Sequence, residues 1–308
     1  MANTVKEHAS CKKEGLSEIV LKDLLTVVIT TSPAKCHPAV EMIRDVIESF
    51  SVVDGLSHCD RIVVCDGVKV GLKERPSRGI VSSDTQARYL AYINNLKKAT
   101  GLSIKHLICA EERIGFGFGV KRSLEFVKTP YVMVVHHDQK YTRNWCISNI
   151  VNAMQASEID DKHPPVHYVG CLSKATINYH SSCLGKGLPD PRDGVIKLGS
   201  DESEKLVPLY VWYDRNHIAN VEHYKNVVFA ENSGVKRGTF IEDCFGQAQL
   251  SAIKEGGLQT HRAYGTYLFD DGMGPAISHI DGRRWMTEGQ RKELGLPPLM
   301  LTRSPQYK

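Results

Sequence analysis

The chain has 308 residues, of which 42% are hydrophobic and 24% charged, as in a globular protein with an ordinary core. Its net charge of +4 at pH 7 is mild and fits an anionic small molecule better than a duplex nucleic acid, which would call for a basic stripe with interleaved aromatic residues. Nine scattered cysteines without a C-x-x-C pair, no N-terminal apolar segment of signal length and no membrane-spanning run predict a soluble, cytoplasmic protein with reduced thiols.

The beginning of the chain predicts a βαβ unit. Residues 1–22 are polar and charged, which is typical of a flexible arm. Residues 26–30 and 61–65 are strand-like, and residues 38–50 between them have the apolar spacing of an amphipathic helix. Two strands joined through a helix predict a parallel pair with a right-handed crossover.

A second helix and a third strand are predicted after this βαβ unit. Residues 68–85 form a loop rich in Gly, Lys, Arg and Ser, residues 86–100 are helical in pattern, and residues 104–110 predict a third strand. After them a glycine-rich stretch is expected to become a helix from about Val120.

The fourth predicted strand is the segment around which the site is expected. Residues 131–135, Y-V-M-V-V, form an unbroken apolar run typical of a strand buried on both faces, and His136, His137 and Asp138 follow it. In open α/β sheets, ligands bind outside the carboxyl ends of the strands. Alternation places His136 and Asp138 on one side, where they could share Mn²⁺ or Mg²⁺ with a bound phosphate group. A polar turn after a strand is the alternative.

The second half has a less regular pattern. It predicts helices at residues 144–156 and 239–254, strands at 166–171, 206–212 and 227–229, and a turn at 160–165.

Two segments are candidate nucleotide contacts. Asp66, at the end of the second strand, can accept hydrogen bonds from a base or ribose, although a turn-forming Asp is the alternative. The glycines at 115, 117 and 119 permit close backbone approach to a ligand, and Lys121 and Arg122, expected in the first helical turn, can neutralise a diphosphate. This stretch matches neither a Walker sequence nor a dinucleotide fingerprint, and a surface loop is the alternative.

Adjacent acids at residues 242 and 243 are candidates for a general base. Phe240, Ile241 and Phe245 flank Glu242 and Asp243, and partial burial would raise a carboxyl pKa into a useful range. Two acids that complement a helix dipole are the alternative.

His279 is a further candidate for metal or phosphate contact. Asp281 and Arg283 follow it and make a polar pocket conceivable, whereas a packed core histidine is the more common case.

These motifs in this order resemble the GT-A fold of nucleotide-sugar glycosyltransferases, and the pattern is most similar to glycosyltransferase family two. The resemblance covers roughly residues 25–282 through a handful of short motifs. It implies an α/β fold with a mostly parallel central sheet flanked by helices. A single domain at 23–285 would comprise a Rossmann-like nucleotide-binding half (23–140) and an acceptor-binding half (141–285), followed by a C-terminal tail at 286–308.

The resemblance also implies a set of donor contacts. The family's metal-binding D-x-D motif aligns with His136 and Asp138, a departure at the first position, and His279 matches a late metal-proximal histidine. The expected metal ligands are therefore Asp138, His136 and His279. The expected nucleotide-sugar contacts are Thr30, Thr31, Ser32, Asp66, Arg113, Gly115, Lys121, Arg122, His137 and Asp138.

The resemblance implies that catalysis is carried by the acid pair. Asp243 would deprotonate an acceptor hydroxyl with support from Glu242, in a metal-assisted single displacement that inverts the sugar. The donor would be a nucleotide-diphosphate sugar, in the first instance a UDP-sugar, and the acceptor a glycan or another hydroxyl compound. Trp212, Tyr213 and Asp214 are expected on the acceptor side, since aromatic faces stack on sugar rings.

Three other functions are alternatives. A nucleotidyltransferase acting on sugar phosphates would use a similar sheet, but the glycine-rich signature that it needs directly after the first strand is absent. The position of the glycines at 115–119, after the third strand, disfavours a dehydrogenase. A non-catalytic nucleotide- or carbohydrate-binding module would need only the pocket. The departure at His136 keeps the last of these open.

Overall fold

A computed structural model describes residues 18–75, 78–159, 163–198, 203–280, 282 and 284–296. Within them the strands are β1 (Leu25–Thr31), β2 (Asp60–Cys65), β3 (Lys69–Val70), β4 (Ile80–Val81), β5 (Ile104–Cys109), β6 (Tyr131–His136), β7 (Gln139–Tyr141), β8 (Tyr168–Gly170), β9 (Ile196–Leu198), β10 (Glu204–Pro208), β11 (His217–Asn220), β12 (Thr266–Asp270) and β13 (Ile277–His279). The α-helices are α1 (Glu18–Leu24), α2 (Glu41–Glu48), α3 (Ser83–Lys98), α4 (Gly115–Ser123), α5 (Ile147–Ile159), α6 (Tyr179–Gly185), α7 (Val221–His223), α8 (Gln247–Tyr264) and α9 (Glu288–Glu293).

Nine of the described strands form one sheet, in the order β5-β2-β1-β6-β11-β8-β12-β10-β9. The first four strands in that order are parallel to one another. Beyond them β11 runs antiparallel to both β6 and β8, β8 and β12 are parallel, and β10 is antiparallel to its two neighbours. The predicted α/β class with a central sheet and flanking helices is confirmed, and its four adjacent parallel strands are the four predicted from the first half of the sequence.

Apolar side chains cover both faces of the parallel strands. Ile29 and Val135 belong to a core cluster that includes residues of α2, α3 and α5. The alternate residues Val28 and Val134 belong to a second cluster, to which α4 contributes Val120. Strand β6 is fully buried from its first residue to its fifth, as its unbroken apolar run predicts.

The register of the parallel strands brings their carboxyl ends to one edge. Thr31 pairs with Cys65 of β2, and Thr30 pairs with His136 of β6. The residue after β2 is Asp66, and two residues after β6 lies Asp138. The polar residues that the sequence places after separate strands are therefore neighbours in space.

Several predicted elements differ from those observed, and three of them bear on the site or on the sheet. The helix expected from Val120 begins five residues earlier, at Gly115, because its glycines allow close packing against neighbouring chain. The strand expected at 206–212 ends at Pro208. The short apolar run at 227–229 lies at the end of a π-helical turn, Tyr224–Val228, since periodicity alone does not separate a buried strand from a buried helical segment.

The described ends of the chain pack on the domain. Leu21 of α1 is buried in the core, so this part of the expected arm at 1–22 belongs to the folded unit. In the expected tail at 286–308, the Gln290 amide of α9 donates to the carbonyl of Cys36 at 2.9 Å. Residues 1–17 and 297–308, and 160–162 of the predicted turn, lie outside the described residues. None of the described helices combines the length and apolarity that a membrane crossing requires.

Candidate active site

A cleft of about 1010 Å³ opens at the carboxyl edge of the parallel strands. Ligand pockets span roughly 300–1,000 Å³, so this cleft has room for a large ligand or for two substrates together. The residues predicted from sequence that line it are Thr30, Thr31, Ser32, Asp66, Arg113, Gly115, His136, His137, Asp138, Asp214, Glu242, Asp243 and His279. The structure thus brings together the ends of β1, β2 and β6 with an acid pair from the second half of the chain.

Asp66 anchors the beginning of helix α4. Its carboxylate accepts the backbone N–H groups of Ile114 at 2.8 Å and Gly115 at 3.1 Å. Burial raises the pKa of Asp66, and these bonds and the charge of Arg113 oppose the rise. A carboxylate at a helix N-terminus is favoured by the exposed N–H groups there. The carboxylate of Asp66 therefore holds the beginning of α4, and Asp66 also lines the cleft.

The glycines of α4 allow another part of the chain to approach closely. Gly115 has a φ of +78°, and a Cβ there would lie 2.7 Å from the Cα of Gly238. A Cβ on Gly117 would lie 3.1 Å from Ile241, and the Gly238 N–H donates to the carbonyl of Ile114 at 2.7 Å. Segment 238–241 is therefore packed on α4. This packing places the next two residues, Glu242 and Asp243, in the lining of the cleft.

Lys121 and Arg122 do not lie where the sequence predicted. Both are in the last turn of α4 instead of its first, both are exposed, and neither lines the cleft. The Lys121 ammonium lies over the rings of Phe118 and Phe229, 5.3 Å and 5.7 Å from their centroids. The prediction of their contact with the diphosphate is wrong because it depended on a helix starting near Val120.

Thr31 and His137 form a buried floor beneath the cleft. The Thr31 hydroxyl lies 2.6 Å from Nδ1 of His137 and 3.2 Å from the hydroxyl of Tyr92. Both residues are almost fully buried, and burial lowers the pKa of His137 to about 4, which keeps the ring neutral near pH 7. Their polar atoms therefore hold β1 and β6 together at the point where both strands end.

His136 links β6 to the loop that precedes β11. Its Nε2–H donates to the carbonyl of Asp214 at 2.6 Å, and its backbone N–H donates to the side chain of Asn216 at 3.0 Å. The ring stacks on Phe116 with a centroid distance of 5.0 Å and an angle of 3°. Burial lowers the pKa of His136. The Nε2 nitrogen is consequently committed to the protein and is not available to a metal ion.

Asp138 is paired with His279 at the rim of the cleft. Nε2 of His279 lies 3.2 Å from Oδ2 of Asp138, and the N–H of Gly282 donates to the same oxygen at 3.1 Å. Burial alone would raise the pKa of Asp138, but these bonds and the nearby imidazoles outweigh it, and the pKa lies well below its usual range. The neighbours Asp281 and Arg283, named with His279 from the sequence, lie outside the described residues.

The predicted metal trio is not assembled. Across the part of the chain that the structure describes, no three His, Cys, Asp or Glu side chains are grouped closely enough to hold a metal ion. The carboxylate of Asp138 and the imidazole of His279 are adjacent, and a cation that replaced the hydrogen bond between them could take both as ligands. Two protein donors fit a cation of the Mg²⁺ or Mn²⁺ type, which takes most of its ligands from water and substrate phosphates.

Three acids, Asp214, Glu242 and Asp243, lie together in the lining of the cleft. The N–H of Glu242 donates to Oδ2 of Asp214 at 3.3 Å, and the N–H of Asp214 donates to Oε2 of Glu242 at 3.4 Å. Asp214 is 8% exposed, and burial together with its acidic neighbours raises its pKa to about 8. Burial also raises the pKa of the half-buried Glu242. Asp243 is the exposed member of the group, so its carboxylate is accessible from the cleft.

The aromatic residues expected on the acceptor side are part of the core. Trp212 is fully buried, with the rings of Tyr168 at 4.4 Å and Tyr224 at 5.0 Å, so it offers no face to a sugar. Tyr213 packs against the same core cluster and does not line the cleft. The prediction of sugar stacking on Trp212 is therefore wrong, and of that trio only Asp214 lines the cleft.

Among the cleft residues that the sequence did not predict as ligand contacts, three have side chains suited to binding. Lys174 and Arg215 add positive charge to the lining, and Phe240 adds an aromatic ring. Arg215 directly follows Asp214, and Phe240 precedes the acid pair by two residues. Their closeness to candidate residues was the available signal, whereas nothing near Lys174 marked it.

Comparisons with known proteins give structural likeness alone. No protein-family model matches the sequence, and no curated protein matches it. The mannosyltransferase PcManGT from Pyrobaculum calidifontis, solved with GDP-Man and Mn²⁺, is similar over 73% of this chain and 52% of its own, at 13% identity and a TM-score of 0.41. TarS from S. aureus is similar over 80% of this chain and 35% of its own, at 14% identity and a TM-score of 0.39. A TarS structure with UDP-GlcNAc covers 49% of this chain and 34% of its own, at 14% identity and a TM-score of 0.28.

The chain thus spans about half the length of the first of these solved proteins and about a third of the others. At such identities and TM-scores, the activity of this chain has to be argued from its own cleft.

Proposed function

We propose that the chain is a glycosyltransferase that moves a sugar from a nucleotide-diphosphate donor to a hydroxyl acceptor. One observation carries the proposal: the ends of three parallel strands, with Asp66 and Asp138, line a single cleft together with the acid pair Glu242–Asp243. A cleft at the carboxyl edge of a parallel sheet is the usual nucleotide site of α/β folds. The acid pair in the same cleft supplies a base for the second substrate.

The donor occupies the sheet side of the cleft in this proposal. Thr30 and Ser32 contact the nucleoside, and Asp66 lies beside the base. The diphosphate lies where Lys174 and Arg215 line the cleft, since ammonium and guanidinium groups neutralise phosphate charge. These two residues replace Lys121 and Arg122 of the sequence prediction.

A divalent cation would be held by Asp138 and His279. When bound there, it would neutralise part of the negative charge of the donor's diphosphate. Independently of it, the hydrogen bond from Gly282 and the imidazole of His279 keep the Asp138 carboxylate ionised and oriented. Mn²⁺ and Mg²⁺ suit such a site because both accept carboxylate and phosphate oxygens.

Asp243 acts as the general base. Its carboxylate takes the proton of the acceptor hydroxyl as that oxygen forms a bond to the anomeric carbon. On the opposite face, the bond between the anomeric carbon and the diphosphate oxygen breaks, and its electron pair leaves with the nucleoside diphosphate. This single displacement inverts the anomeric centre. Glu242 is held by the N–H of Asp214 and fixes the beginning of the helical turn that carries Asp243.

The proposal is tested by nucleotide binding and by donor turnover. A thermal-shift panel of UDP, GDP, CDP and ADP with and without Mn²⁺ should single out one nucleotide, because a ligand of the native state raises its melting temperature. With the matching nucleotide sugar, the wild type should release free sugar and nucleoside diphosphate slowly in the absence of acceptor. Formation of a sugar nucleotide from a sugar phosphate and a nucleoside triphosphate would instead show a nucleotidyltransferase, and binding without turnover would show a binding module.

Variants separate the base from the donor site. Asp243→Asn should keep nucleotide affinity and lose transfer by about 10²-fold or more, the usual contribution of a general base. The control Asp84→Asn changes an exposed aspartate of α3 that does not line the cleft. Transfer by Asp243→Asn at the wild-type rate would remove the base assignment.

A further inference from the structure

We propose that the ring of Phe240 is the platform on which the acceptor stacks, and that the acceptor is therefore a carbohydrate that presents the apolar face of a pyranose ring. This inference rests on the proposed function and names the class of its second substrate. Phe240 takes the role that the sequence assigned to Trp212 and Tyr213. Trp212 is buried in the core, and Tyr213 does not line the cleft.

Phe240 is an exposed aromatic ring in a polar cleft. It is 46% exposed, and among the exposed large apolar side chains of the described residues it is the one that lines this cleft. An exposed phenylalanine ring leaves apolar surface in water, which costs free energy. A ligand with its own apolar face would recover that energy, which a purely ionic ligand would not.

The ring is held on a rigid support. Phe240 packs against Phe116 at 6.3 Å between centroids and 28° between planes, and Phe116 in turn stacks on His136. Two residues before Phe240, the N–H of Gly238 donates to the carbonyl of Ile114 at 2.7 Å, and the carbonyl of Gly238 accepts from the guanidinium of Arg113 at 3.2 Å. A platform fixed in advance loses little conformational entropy when a ligand settles on it.

The position of the ring suits an acceptor hydroxyl. Phe240 lies three residues before Asp243, and both side chains line the same cleft. A pyranose has C–H groups on its faces and hydroxyls around its rim, so one face can stack on an aromatic ring while a rim hydroxyl meets a carboxylate. An acyclic alcohol or a serine side chain presents no such face.

The experiment uses saturation-transfer NMR on the full chain with UDP present. The probes are methyl β-D-glucopyranoside, methyl β-D-galactopyranoside and methyl α-D-mannopyranoside, with glycerol as an acyclic polyol. The wild type should transfer saturation to the ring C–H protons of at least one pyranoside and not to glycerol. Phe240→Leu should lower the affinity for that pyranoside by about three- to tenfold, which is the usual contribution of an aromatic contact. Phe240→Tyr should retain the wild-type affinity.

Phe126→Leu is the matched control. Phe126 is 38% exposed and packs beside His106, outside the cleft, so its loss should leave pyranoside binding unchanged. Equal pyranoside binding by wild type and Phe240→Leu, binding of glycerol as strong as that of the pyranosides, or no pyranoside binding by the wild type would each overturn the proposal.

UDP affinity, measured on the same samples, separates this inference from the proposed function. It should be the same in wild type and Phe240→Leu. A fall in UDP affinity with pyranoside binding intact would assign the ring to the nucleobase and overturn the acceptor platform, while leaving the transferase proposal standing. Failure of the wild type to bind UDP, GDP, CDP or ADP in the thermal-shift panel would instead count against the transferase proposal itself.

Discussion

The imidazole Nε2 of His279 lies 3.2 Å from the carboxylate of Asp138 and joins strand β13 to the end of β6. The N–H of Gly282 bonds to the same oxygen, so one carboxylate oxygen holds two late parts of the chain at the rim of the cleft. Both side chains line the cleft, and the other carboxylate oxygen of Asp138 can face a cation or a phosphate-bound water. The pair therefore serves the fold and the proposed donor site together.

Replacement of His279 should weaken the metal-dependent part of donor binding. His279→Ala removes one of the two adjacent donors and the partner that orients Asp138, and such losses cost about ten- to a hundredfold in metal affinity. Calorimetric titration with UDP in Mn²⁺ and again in EDTA measures the effect. His106→Ala, on β5 and outside the cleft, is the control. An equal loss of affinity in EDTA would show that His279 acts without a metal.

Gly115 and Gly234 form a matched pair for testing the approach of segment 238–241 to α4. Both have positive φ, +78° and +77°, but a Cβ on Gly115 would meet Gly238 at 2.7 Å, whereas a Cβ on Gly234 would meet nothing within 4 Å. Gly234→Ala should cost about 1–2 kcal/mol of unfolding free energy, the strain of the left-handed region. Gly115→Ala should cost more and also lower transfer, because the acids after segment 238–241 would move. Urea denaturation and initial rates measure both, and equal effects of the two variants would contradict the expectation.

The parallel part of the fold could be predicted from the sequence because its signals are local. The apolar run of β6 is long, unbroken and followed by polar residues, so its burial and its end at the cleft edge follow from residue types alone. The alternation that separates His136 from His137 also holds, with His137 on the floor. The convergence of Asp66, Asp138 and Asp243 on one cleft follows from the carboxyl-edge rule and the sequence resemblance together.

The residues that were wrongly assigned depend on contacts distant in sequence. Trp212 and a sugar-binding tryptophan look alike in sequence, and only the packing of Tyr168 and Tyr224 around it shows that it is core. Lys121 was misplaced because glycine is a poor helix former, and only the close approach of Gly238 explains a helix that begins at Gly115. The hydrogen bond from His136 to the carbonyl of Asp214 likewise joins residues far apart in sequence, so the sequence alone did not predict it.

The ion pair of Arg143 and Asp271 should be essential for stability. The guanidinium bonds both carboxylate oxygens at 2.7 Å and 3.0 Å, and the two side chains are only 16% and 10% exposed. Asp271→Ala leaves a buried charge without its partner and should cost about 3–5 kcal/mol of unfolding free energy. Asp60→Ala, which breaks a half-exposed pair with Lys105, should cost under about 1 kcal/mol. Chemical denaturation compares them, and a similar cost for both would mean that Arg143 finds water when Asp271 is lost.

Asp214 should make the protein less stable as the pH rises. Burial and the charges of Glu242 and Asp243 raise its folded-state pKa from the ordinary 3.8 to about 8, so the folded protein retains a proton that the unfolded chain releases. Stability is therefore lost between those two values, by about 1.4 kcal/mol per pH unit at most. Asp214→Asn keeps the shape of the protonated acid and removes the titration. Its unfolding free energy, measured in urea from pH 5 to pH 8, should rise relative to the wild type as the pH increases.

The same series on Asp84→Asn supplies the baseline, since Asp84 has a side chain 78% exposed and lies outside the cleft. Histidines also titrate in this range, but they are common to all three proteins, so the difference between each variant and the wild type isolates the replaced carboxyl. A constant difference between Asp214→Asn and wild type across the range would show that Asp214 is already ionised at pH 5. In that case the N–H of Glu242 would be stabilising a charged Asp214 carboxylate. Repulsion from that charge would then act on the proposed base, Asp243, at every pH at which transfer is measured.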